Sequence, residues 1–341
     1  MSSVTPALIV LASCAAVGTA RAEEAVPRAL AGHRELAPQL LQGLSSGDGA
    51  VRARCAFLLG QIGDRSAAGA IRPMLDDPSL AVRRQAGVAL CALGQPDGVA
   101  TADAALASAA DWIRYYAVGA LAGLATDEAR AVLEARRAGQ GELIGGQIDE
   151  ALGVWPWPSA EPAAAEEKLE PSASLHELFI EAGGAWVVES DGYWHKGEYL
   201  QCVRCNETAL FLDPKYADLY GTSAWLLWSL GLNDRAISLI HQGLAANPEN
   251  WEMWFDAGYQ YVLMEQHAVA ARFLGRAVEL GAPAVQSRQY CHALEKSGRP
   301  AKALEAWQAL QRRFPDDAVA PSHIARLQEL LSGEQGAGTE A

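Results

Sequence analysis

Alternating apolar and polar residues are scarce in this chain, which argues against a sheet-built fold. Positive charge is also short: 27 Lys and Arg stand against 41 Asp and Glu, a formal net charge of −14. Such a surface repels phosphates, which argues against a nucleic-acid backbone or an anionic membrane as the main partner. Beyond the N-terminal stretch no segment is apolar enough to span a bilayer. The marks of catalysis are missing as well. There is no Gly-x-Ser-x-Gly, no phosphate-cradling Gly loop and no set of paired carboxylates. The histidines (His33, His176, His195, His241, His267, His292 and His323) are scattered along the chain. The Cys202-x-x-Cys205 pair has no second Cys pair or His ligands at zinc spacing. The reading is therefore of a chain without catalytic residues, metal or cofactor.

What is present is helix-forming. Half of the residues are apolar and alanine is abundant, a composition suited to closely packed helices. The first twenty residues carry no charged side chain, and Ala20-Arg21-Ala22 fits a cleavage site before Glu23. Three readings stand open: cleavage after Ala22, lipidation of Cys14 in the lipobox-like Leu11-Ala12-Ser13-Cys14, or an uncleaved N-terminus.

Two repeats follow. The first has a period of 31: Val51-Arg52, Val82-Arg83 and Ile113-Arg114 are each followed by a small residue (Cys55, Ala86, Ala117) and a leucine (Leu59, Leu90, Leu121). Ile62, Leu93 and Leu124 complete one helical face, and Gly63 and Gly94 end the first two helices. A second stripe runs through Ile71, Ala102 and Leu133. This pattern, over residues 33–137, resembles HEAT repeats in a short bacterial form. The resemblance implies a ladder of Arg52, Arg83 and Arg114 with acidic neighbours such as Asp48, Asp77 and Asp111. A further helix over Leu143–Leu152 is expected to cap the array. Alternating prolines in Val154-Trp155-Pro156-Trp157-Pro158 then forbid helix and mark a boundary. The two tryptophans there either pack on an array end or form a docking peptide.

The second repeat occupies residues 183–316. Pro214 and Pro248 lie 34 apart, with further breaks at Pro283 and Pro315. The turn inside each unit carries Gly197, Gly231, Glu265 and Gly298. Small residues (Cys202, Ala236, Ala270, Ala303) recur after it, and Trp186, Tyr220 and Trp254 recur before it. Cys202 thus reads as a small core residue, as do Cys55, Cys91 and Cys291; Cys205 alone is left over. This order resembles the tetratricopeptide repeat, in four units beginning near 183, 217, 251 and 284, with Ala318–Leu331 as a covering helix.

The fold expected is all-α: two α-solenoids, a HEAT-like superhelix and a tetratricopeptide superhelix. The divisions expected are 1–22 signal, 23–153 first array, 154–174 Pro-rich linker and 175–335 second array. The second resemblance implies that the first helix of each unit lines a concave side. Counted from the motif, the inward positions hold Asp191, Trp194, His195, Asp218, Trp225, Trp228, Glu252, Phe255, Asp256, Tyr259, Arg288 and His292. Aromatic rings beside carboxylates suit an apolar segment with some basic residues. The function expected is a non-enzymatic scaffold that binds a protein or peptide, exported to the periplasmic side of a bacterial envelope. Membrane association would come only through a lipid on Cys14. An enzyme of the HEAT-like lyase type and a lipid-anchored docking protein are the alternatives.

Overall fold

The computed structural model describes residues 29–155, 169 and 172–337. The expected signal segment, Cys14 and most of the Pro-rich joint, including Trp157, lie outside the described residues. Among the described residues there are seventeen α-helices, a few short 3₁₀ turns and no strand. The first eight are α1 (Ala37–Gly43), α2 (Gly49–Ile62), α3 (Ala68–Ile71), α4 (Leu80–Ala92), α5 (Val99–Ala105), α6 (Asp111–Leu124), α7 (Asp127–Arg136) and α8 (Glu142–Gly153). α2, α4, α6 and α8 stack side by side. The repeat explains the stacking: Cys55, Ala86 and Ala117 are wholly buried, as are Leu59, Leu90 and Leu121. At Gly60 the approach of α2 to α4 is so close that a Cβ would collide with Ala89 backbone. The second helix of the α2 unit is broken. α3 lasts four residues and passes into 3₁₀ geometry over Arg72–Asp76, because Pro73 has no N–H to continue an α-helix.

The arginine ladder is irregular. Arg52 reaches across to Asp77 of the next unit with two bonds, 2.7 and 2.9 Å. Arg83 instead donates to the carbonyls of Asp77 and Pro78, and Arg114 pairs with Asp111 on its own helix. Trp155 is half-buried at the end of the array, with the Arg130 guanidinium 6.0 Å from its ring centre.

The second array comprises α9 (Leu175–Lys196), α10 (Tyr199–Leu212), α11 (Ala217–Ser229), α12 (Asn233–Ala246), α13 (Trp251–Leu263), α14 (His267–Glu279), α15 (Ala284–Lys296), α16 (Pro300–Arg313) and α17 (Ala320–Ala337). They form four antiparallel pairs and a covering helix. Cys202, Ala236, Ala270 and Ala303 are all buried where the two helices of each pair meet. The turn residues Gly197, Gly231 and Gly298 adopt a left-handed backbone, and Glu265 is held in the same conformation at φ 59°. Ala125 does the same at φ 55°, where the first array's period would place a glycine. A side chain in this region costs about 1 kcal/mol. Ala125→Gly and Glu265→Gly should each raise stability by ~0.5–1 kcal/mol, measured by urea denaturation.

The two solenoids share one core. α10 lies against α6, and α9 reaches α1. The Phe57 ring meets Trp112, Tyr116, Trp186 and Phe211, with centres 5.2–5.8 Å away. Trp186, wholly buried, donates its indole N–H to the Tyr116 hydroxyl at 2.8 Å. Beside these rings the buried Asp111 carboxylate faces Arg114, Arg235 and Arg204 at 2.9, 3.2 and 3.4 Å. Arg204 also lies over the Tyr115 ring, 4.0 Å from its centre. The arrays are therefore seated on each other by rings and ion pairs, in addition to the chain that connects them.

Candidate functional site

The first helices of consecutive units, α11 with α13 and α13 with α15, pack closer to one another than the second helices do. A stack tightened on one side curves toward that side, so α11, α13 and α15 line the inner face, and α9 joins them through the ring contact of Trp194 with Trp225. The repeat has already assigned its small residues to the packing seams. The inward side chains between the seams are large, and water reaches them.

Trp194 on α9 and Trp225 on α11 are 39% and 43% exposed, with ring centres 6.2 Å apart and planes tilted by 31°. Tyr199 meets Trp194 edge-on at 5.6 Å. One unit further, Tyr259 is 39% exposed and stacks on Phe255 at 5.8 Å. Exposed rings in a row across three units leave apolar area that a partner can cover. At roughly 25 cal/mol per Å², covering one ring contributes about 2 kcal/mol.

A carboxylate cluster stands beside the rings. Asp256 is half-buried against Gly221 of α11, where any Cβ would collide with the carboxylate. Burial, and after it the negative charges of Glu252 and Asp218, raises the Asp256 carboxyl to about 7. The cluster is held at a cost, because like charges face one another across adjacent helices. A cation delivered by a partner would relieve it.

Other inward residues sit differently from their neighbours in the row. Trp228 is half-buried and packs against the core shared by the two arrays, so its ring is only partly available. His195 is exposed, and its Nδ1 bonds the Asp191 carbonyl at 2.8 Å, one turn back on its own helix. Asp218 is exposed at the start of α11. Arg288 is tied to Asp317 at 2.8 Å. His292 is drawn into a cluster with Trp307, Glu295 and His323 at the end of the stack. The sequence reading missed this cluster. Its signal was the step of 31 from His292 to His323, close to the repeat length, which puts both rings on equivalent helices. The Cys202–Cys205 pair is buried; Cys202 Sγ bonds the Ser190 hydroxyl at 3.0 Å, and burial pushes the Cys202 thiol up. Such thiols are poor nucleophiles.

The sequence profile of HEAT repeats matches residues 37–122. No curated protein matches the chain. Among solved structures the chain is similar to the MamA protein, at 19% identity over 44% of this chain and 82% of that one, with a TM-score of 0.37. It is similar to YrrB, described as a TPR protein with an unusual peptide-binding site, at 21% identity over 47% and 86% of the two chains, TM-score 0.36. It is also similar to PilF of Pseudomonas aeruginosa, at 20% identity over 46% and 71%, TM-score 0.37. The repeat assignment rests on this chain's own helix pairs and their register.

Proposed function

We propose that this chain, a HEAT-like array followed by a tetratricopeptide array, is a non-enzymatic scaffold that binds a protein or peptide segment along the inner face of its second array. The row of exposed Trp194, Trp225 and Tyr259 across three successive units carries the reading. The segment that fits is extended or helical, apolar enough to cover the rings, with a Lys or Arg to meet Asp218, Glu252 and Asp256. The divisions 23–153 and 175–335 are the two working parts, and the shared core fixes how the first presents the second. Residues 1–22 support export to the envelope, and Cys14 is the position at which a lipid anchor would be attached.

The test is a photo-crosslinking amino acid placed in living cells at position 225 on the inner face and, separately, at the exposed Arg272 on α14. A discrete adduct from 225 and none from 272 is expected. No adduct from 225, or the same adducts from both, overturns the reading.

Asp256 gives this face a pH dependence with a definite sign. Its folded pKa lies above the ordinary aspartate value of 3.8, so the folded state holds an extra proton between about 4 and 7. Folding stability falls as pH rises through that window. Asp256→Asn should therefore stabilise the protein at pH 8, on the order of 2 kcal/mol because water in the groove screens part of the effect, and change little at pH 4. Affinity for a segment carrying a basic residue should move the opposite way, strengthening as Asp256 ionises. Thermal melts and binding titrations at the two pH values check both signs.

A further inference from the structure

We propose that His292, Glu295 and His323 form a site for one divalent transition-metal ion, zinc above all, which ties the covering helix α17 to the last helix pair. His292 and Glu295 lie three residues apart on one face of α15, and His323 comes from α17. One ligand atom from each lies within 4.8 Å of the other two. Two imidazoles and a carboxylate are a donor set that zinc accepts, with water completing the tetrahedron at bond lengths of about 2.0–2.2 Å. Closing onto an ion requires a movement of about 1 Å.

The ligands are already held. The Trp307 indole N–H donates to Glu295 Oε1 at 2.6 Å, the Trp307 ring stacks on His323 at 4.3 Å, and its edge meets His292 at 5.1 Å. Outer partners of this kind orient metal ligands and keep them in place.

A positive group already stands at this spot. Arg326 donates to the second oxygen of Glu295 and lies 3.3 Å from His323 Nδ1. Nδ1 and Glu295 Oε1 are 2.9 Å apart, a separation that needs a proton or a cation between them. The guanidinium is more than half exposed. In this structure it is the cation that a metal ion would replace. This arrangement separates a metal site from a hydrogen-bonded helix clasp, because the two predict opposite effects when Arg326 is removed.

The experiment is a cobalt(II) titration of the chelator-treated full chain, followed by its ligand-field absorption and by displacement with zinc. One cobalt per chain is expected, displaced by one equivalent of zinc, with a zinc-dependent rise in melting temperature. His292→Ala and His323→Gln should each abolish the saturable signal while helix content stays unchanged. Arg326→Ala should tighten binding ~10-fold by removing the competing charge. Absence of saturable binding in the wild type overturns the proposal. So does saturable binding that survives both histidine substitutions, or an Arg326→Ala variant that binds no tighter than the wild type.

Discussion

Asp111→Ala is expected to cost about 3 to 5 kcal/mol of stability, one of the two largest effects available in this molecule. The carboxylate lies at the seam between the arrays, and three guanidiniums converge on it. Arg235 keeps Glu207 as a second partner at 3.3 Å, but the buried Arg204 is left without a carboxylate. Removing one partner of a buried ion pair strands the other charge in a medium that cannot solvate it, and that penalty exceeds the net worth of the pair. Asp111→Asn, which keeps the shape and one acceptor, should cost less. Acid should reproduce the effect. Burial pushes the Asp111 carboxyl up, but Arg235, Arg204 and Arg114 outweigh it and hold the group below the usual carboxylate range. A depressed folded pKa contributes stability above the unfolded value, lost as pH falls through the folded one. The contribution of Asp111 should therefore be fully present between pH 5 and 8 and weaken below about 4, in the reverse sense to Asp256. Urea denaturation gives the test. If the variant matches the wild type at pH 7, the ion cluster does not hold the arrays together.

The reach of the sequence can be seen at this same seam. Periodicity placed the helices because each unit repeats its own packing: Cys55, Ala86 and Ala117 recur at one spacing, Cys202, Ala236, Ala270 and Ala303 at the other, and all are buried. The left-handed turns at Gly197, Gly231 and Gly298 were legible for the same reason, and Glu265 stood out as the exception. The seam between arrays occurs once, so no period reports it. Its residues look like noise in the repeat. Gln201, Arg204 and Thr208 are polar, lie on a helix whose repeat pattern allows a solvated side, and are buried. The available clue was that Phe57 and Trp112 are large where neighbouring units hold Val88 in place of the first and Ala50 or Ala81 in place of the second. Reading that clue requires knowing which array end meets which. The inner row was legible in outline, because the motif says which positions face inward. It could not say that Trp228 would be half claimed by the core, or that His292 would leave the row for His323. Both depend on neighbours outside the unit.

Replacing both Trp194 and Trp225 with Ala should weaken partner binding by about 100-fold or more while leaving helix content and melting temperature nearly unchanged. The two rings are among the most exposed large apolar side chains described, and they lie beside each other on consecutive units. Their solvent-facing area contributes little to folding, so its loss costs the free protein little. In a complex the same area is removed from water, and a central aromatic is worth about 2 kcal/mol or more when truncated. Two such losses at adjacent positions need not add, which is why about 100-fold is a floor for the pair rather than the sum. Trp228→Ala supplies the contrast. Its ring packs against the shared core, so the expected loss is in stability, about 1 to 3 kcal/mol, with affinity per folded molecule largely retained. The separation of these two outcomes locates the binding face. The measurements are isothermal titration with the partner recovered by crosslinking at 225, and thermal melts of each variant. If the Trp194/Trp225 pair binds as the wild type does, the partner sits elsewhere on the solenoid. If it unfolds, the rings belong to the core, and the exposed row is structural.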